Sequence, residues 1–96
     1  MGARRPERDG AGATRVVMKD EVFQPVVLEV PAGSPVTIEV RNAGQENHNF
    51  TIDDLDVSTG PMHPGDVMTV TFTPLKGTTE FRCTWHSGMV GRIVGT

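Results

Sequence analysis

The chain has 96 residues, 36% of them hydrophobic and 22% charged, which bounds it to one small domain around a single core. No apolar run approaches the roughly 20 residues that a membrane-spanning helix needs, and the single cysteine excludes an internal disulfide and any four-cysteine zinc or iron–sulfur site. Charge is divided unevenly: after residue 15 there are 5 basic against 10 acidic side chains, a balance of −5 that disfavours nucleic acid and favours a basic protein surface as partner.

Residues 1–13, MGARRPERDGAGA, read as a flexible tail, with charge, Gly and Ala but no apolar periodicity. They are not a secretory signal, because no apolar stretch follows the arginines. From Thr14 the pattern has period two, and residues 14–96 form the expected domain. Phe23 is a core anchor beside a solvated Lys19-Asp20-Glu21 connection. Val26, Leu28 and Val30 alternate with Val27 and Glu29. Pro31-Ala32-Gly33 then breaks the run. Val36, Ile38 and Val40 form the next inward face, ended by Asn42-Ala43-Gly44. His48, Phe50 and Ile52 share a face, as do Met68, Val70 and Phe72, and then Phe81 and Cys83. Turn signals separate these runs at short spacing, and no window has a helical period. The expected fold is all-β, a Greek-key β-sandwich or barrel of about seven to eight strands.

Chemistry concentrates in Cys83-Thr84-Trp85-His86-Ser87-Gly88-Met89, which follows a strand directly. It puts a thiol, an imidazole and a thioether within one short loop. His48 lies 35 residues upstream on the same inward parity as Cys83. Thiolate and thioether are soft ligands and imidazole suits copper; two His, one Cys and a distant Met compose a trigonal electron-transfer copper site. The bland readings are a buried thiol acting as a small hydrophobe and a methionine filling the core. Zinc accepts Cys and His but gains nothing from an axial Met. A c-type haem needs a second Cys, which is absent. A Cys–His nucleophile fits adjacent ligands on one loop less well than a metal does.

The stretches PAGSPVTIEVRNAGQENHNFTI and GTTEFRCTWHSGMVGRIVG resemble small blue-copper proteins of the cupredoxin family, in their plastocyanin and amicyanin branch. The short loop with Cys, His and Met at three-residue steps is most similar to amicyanin. The resemblance spans residues 14–96. It implies that His48, Cys83 and His86 are equatorial copper ligands, that Met89 is axial, and that the copper cycles between Cu(I) and Cu(II). It implies that Asn49 ties the two ligand loops together and points its amide at the Cys83 sulfur. Amicyanin-like loops commonly have Pro where this chain has Trp85; a Trp85 amide, unlike Pro, can donate to the thiolate. The implied function is electron transfer, not enzymatic catalysis. The implied partner is a c-type cytochrome, a dehydrogenase or a copper reductase. His86 is the implied solvent-facing edge, the chain a monomer, and the compartment periplasmic or otherwise extracytoplasmic after removal of a signal. The rival readings are a copper carrier, a metal-free interaction domain, and a domain cut from a larger copper enzyme. His63 is either a fifth metal-binding group or an exposed loop residue. Pro61 and Met62 either flank the copper end or serve a turn. Asp53, Asp54 and Asp56 form either an acidic docking patch or an ordinary loop.

Overall fold

Apolar and polar side chains alternate along most of the strands, and that alternation builds two sheets with a shared interior. The computed structural model describes residues 14–96; the tail expected over residues 1–13 lies outside the described residues. In chain order the strands are β1 (Thr14–Lys19), β2 (Val22–Gln24), β3 (Val27–Val30), β4 (Val36–Asn42), β5 (Thr51–Ile52), β6 (Val57–Ser58), β7 (Val67–Phe72), β8 (Gly77–Arg82) and β9 (Val90–Gly95), with one 3-10 turn at Asp53–Leu55. One sheet has the order β2-β1-β4-β7 and the other β3-β9-β8-β5-β6. β1 runs parallel to β4 and β3 parallel to β9, while the remaining pairs are antiparallel. Both sheets end on open edge strands, so the architecture is a sandwich and not a closed barrel. The nine described strands exceed the expected seven to eight because β5 and β6 are two-residue strands, too short for a visible period.

Val16, Met18, Ile38 and Val40 from one sheet meet Ile52, Phe81 and Ile93 from the other, all of them buried. Phe23 packs edge-on against Phe81 and Phe50, with ring centroids 4.9 and 6.0 Å away. Burying each such side chain contributes roughly 1.5–3 kcal/mol. Close approach replaces side-chain bulk at Gly91, where a Cβ would overlap the Phe81 ring and crowd the Val26 carbonyl. The expected inward phase holds for Leu28, Val30, Val70 and Phe72 but fails at two ends. Val26 is 46% exposed because it falls in the bend before β3. Met68 is exposed on the edge strand β7, which has a neighbour on one side only.

Candidate metal centre

The β8–β9 hairpin fixes one half of the site. Its ladder reaches Arg82 opposite Val90. Cys83 N then donates to Met89 O at 3.1 Å, one step beyond the ladder. Two tight turns fill the loop between them, with His86 N on Cys83 O at 3.5 Å and Met89 N on His86 O at 2.9 Å. The loop therefore starts and ends in the interior, with Cys83 and Met89 both buried, while its tip carries Trp85 and His86 to the surface.

The other half is a single bridge. His48 and Met62 exchange main-chain hydrogen bonds of 3.0 and 2.8 Å. Buried Asn42 organises the segment leading to His48. Its Nδ2 donates to Glu46 O at 2.8 Å and Met62 O at 2.9 Å, and its Oδ1 accepts from Gly44 N at 3.0 Å. Asn49 joins the two halves: its Nδ2 donates to Thr84 Oγ1 at 2.9 Å, and Thr84 N donates to its Oδ1 at 3.2 Å.

These elements bring His48, Cys83 and His86 together, with one ligand atom of each lying within 4.8 Å of the others. His48 Nδ1 is 3.9 Å from Cys83 Sγ, and the two imidazole centroids are 4.9 Å apart. A nitrogen about 2.0 Å and a sulfur about 2.3 Å from one ion, set in a trigonal plane, stand about 3.7 Å apart. The donor set therefore fits a metal ion by spacing as well as by chemistry. Burial, followed by the neighbouring His86, pushes the His48 pKa below its ordinary 6.5, against smaller opposing effects from Glu46, the Asp20 main chain and Glu21. A neutral imidazole is the form a metal ligates. Met89 is buried at the foot of the same loop.

His86 faces outward with 21% of its side chain exposed, flanked by two carboxylates. Glu21 Oε2 is 3.8 Å from its Nδ1 and Glu46 Oε1 is 3.5 Å from its Nε2. A cavity of about 440 Å³ opens beside it, lined by Asp20, Glu21, Gln45 and Glu46. Trp85 stands 51% exposed next in sequence. Sequence reasoning placed Glu21 in a solvated connection and missed Glu46, since both reach His86 only through the folding of separate loops.

The structure decides between the remaining readings. No hydrogen bond runs from the Asn49 or Trp85 amide to Cys83 Sγ among the described residues: the sulfur meets His48 Nδ1, Asn49 works through its side chain, and Thr84 supplies the loop N–H. His63 is not part of the ligand cluster. It is an exposed loop residue 3.5 Å from Asp66, and its amide donates to the same carboxylate. Met62 is wholly buried, bridged to His48 and not part of an apolar surface, whereas Pro61 is exposed. Asp53 is engaged by Arg82 at 2.6 Å, and the guanidinium holds its carboxyl below the usual range.

The cupredoxin-like domain model matches residues 2–94. The chain belongs to the cupredoxin-like family. Auracyanin from Roseiflexus castenholzii is similar in fold, with 20% identity, a TM-score of 0.76, and coverage of 90% of this chain and 98% of that one. A reduced Cu(I) amicyanin variant gives 23% identity and a TM-score of 0.73 over 93% of this chain and 87% of its own. A copper-containing nitrite reductase from Thermus scotoductus gives 25% identity and a TM-score of 0.72 over 96% of this chain but only 25% of its own, so the cupredoxin fold also occurs within an enzyme. No curated protein sequence matches. Among the described residues, no helix of this cupredoxin is long and apolar enough to cross a membrane.

Proposed function

We propose that this cupredoxin is a one-electron carrier in which the Cys83 thiolate, the His48 and His86 imidazoles and the Met89 thioether would hold a single copper ion. The observation that carries the reading is the convergence of a buried thiol and two imidazoles, His48 Nδ1 lying 3.9 Å from Cys83 Sγ. Bound copper would supply a couple between Cu(I) and Cu(II).

The chain's own residues supply the rest. Burial of Cys83, His48 and Met89 keeps water from the thiolate. The hairpin register and the Asn49–Thr84 link hold the ligand loops in one geometry, so little need rearrange when the charge on the site changes. Thiolate, two imidazoles and thioether leave no open position for a substrate, which favours an electron carrier over an enzyme. His86, the one partly exposed member of the set, is the route for the electron. Exposed Trp85 offers an apolar contact, while Glu21 and Glu46 steer a basic redox partner such as a c-type cytochrome, a dehydrogenase or a copper reductase. The family and the copper–thiolate chemistry favour a periplasmic or otherwise extracytoplasmic setting for a monomer.

Voltammetry of the copper-loaded protein tests this reading. A reversible one-electron wave with both oxidation states retaining the metal is expected. Release of metal on either half-cycle would favour a copper carrier instead. The nitrite-reductase match favours one further reading, a domain of a larger copper enzyme, and the length of the native polypeptide separates the two.

A further inference from the structure

The two nitrogens of His48 have different surroundings. Nδ1 faces Cys83 Sγ. Nε2 is wholly buried and makes no hydrogen bond. When one imidazole nitrogen ligates a metal the other carries the proton, and a buried N–H needs an acceptor.

The surroundings of Nε2 are made by the β1–β2 turn and the segment after β4. A Cβ on Gly44 would lie 3.4 Å from His48 Nε2, 3.4 Å from Asn42 Oδ1 and 2.9 Å from Asp20 N. The last is a contact with main chain, which no side-chain rotation relieves. Gly44 does not have a positive φ, so space and not backbone conformation is what requires glycine here. Asp20 has φ 55, the left-handed conformation that reverses the chain between β1 and β2. The Asp20 main chain and His48 Nε2 therefore border the same space, which Gly44 leaves open. Asn42 fixes Gly44 from the other side through the Gly44 N to Asn42 Oδ1 bond, and Ala43 N donates to Met18 O at 2.8 Å, drawing β1 against this segment.

We propose that Gly44 is a positioning residue for His48: lacking a side chain, it lets the β1–β2 turn close on the buried Nε2 edge, so that the Asp20 carbonyl accepts a hydrogen bond from the Nε2 N–H and Nδ1 is left free for the metal. This rests on the metal-site reading above and adds a residue that touches neither metal nor partner.

The test compares wild type, Gly44→Ala and Asp20→Gly as full chains loaded with Zn(II) and, separately, with copper. In wild-type zinc protein, nitrogen NMR should find His48 protonated at Nε2, with slow solvent exchange and a scalar coupling to the Asp20 carbonyl. Gly44→Ala should keep its β-sheet circular dichroism yet bind zinc about 10- to 100-fold more weakly, lose the slow exchange and change its copper absorption spectrum. Asp20→Gly should retain all three wild-type properties, because only the main-chain carbonyl acts. Wild-type affinity and slow exchange in Gly44→Ala would overturn the positioning role and leave the metal site standing. A wild-type chain that takes up neither metal would overturn both. If Gly44→Ala fails to fold, the wild-type spectrum decides: a proton on Nδ1, or rapid exchange at Nε2, overturns the proposal.

Discussion

Glu21 and Glu46 are the charged groups packed against the exposed ligand, and neutralising them should move the potential. Their carboxylate oxygens lie 3.8 and 3.5 Å from the ring nitrogens of His86. Only one ring nitrogen can bind the ion, so one charge lies within about 6 Å of an ion held there and the other, across the ring, about 7 Å away. Coulomb's law gives about 0.6 kcal/mol for a charge at the longer distance in water, and about 1.2 kcal/mol if the local dielectric is half as large. With about 59 mV per tenfold in a one-electron couple, that is roughly 25–50 mV. Both side chains are more than 60% exposed, and a Debye length of about 8–10 Å reduces the shift by about half at physiological salt. The sign follows from charge: a carboxylate favours Cu(II) over Cu(I), so Glu21→Gln or Glu46→Gln should raise the potential. Glu29→Gln serves as the control. Glu29 pairs with Val94, four residues along β9 from the ligand loop, hence about 13 Å further away. Voltammetry of the three variants at low and physiological salt reads the effect directly. No shift, a downward shift, or one equal to that of Glu29→Gln would refute the placement of these carboxylates beside a copper ligand.

Cys83→Ser should abolish the visible charge-transfer band while circular dichroism still reports an intact sandwich, since the change removes the thiolate but little core volume. Met89→Leu should retain copper and raise the potential by removing a donor to Cu(II), while Met89→Gln should lower it through a harder amide oxygen; unchanged potentials in both would leave Met89 a core residue. Gly91→Ala should destabilise the fold by about 1–3 kcal/mol in urea melts, because the new methyl meets the Phe81 ring and the Val26 carbonyl. The metal-free protein should lose stability as pH falls below the ordinary histidine value of 6.5: folding depresses the His48 pKa, so the unfolded chain takes up a proton that the folded one refuses. His48→Gln should remove that loss from the window around and just below 6.5, leaving only the loss at lower pH as Asp53, held low by Arg82, is protonated.

What was legible in the sequence was local. Strand alternation is written within a few residues, so the inward parity of His48, Phe50 and Ile52, and of Phe81 and Cys83, could be read directly and matches their burial. The ligand loop was legible because a hairpin holds Cys83 and Met89 as neighbours whatever the rest of the chain does. What escaped was made by tertiary approach. Asn42 and Gly44 carry the composition of a turn, yet Asn42 is wholly buried and binds three main-chain groups. Glu21 and Glu46 lie far apart in sequence and meet only across the His86 ring. Val26 had the right parity but sits in the bend before β3, and parity governs side-chain direction only within a strand. The Asn49 tie between the ligand loops was expected from resemblance and runs through its side chain to Thr84, while among the described residues the sulfur's contact is His48 Nδ1.

The most direct test of the central claim is absorption spectroscopy during titration of the reduced-thiol, metal-free chain with Cu(II). A buried cysteine thiolate beside His48 and His86 predicts an intense visible thiolate-to-copper band that saturates at one copper per chain and bleaches on reduction. A chain that remains nearly colourless, or shows only the weak absorption of copper held by nitrogen and oxygen, would contradict it.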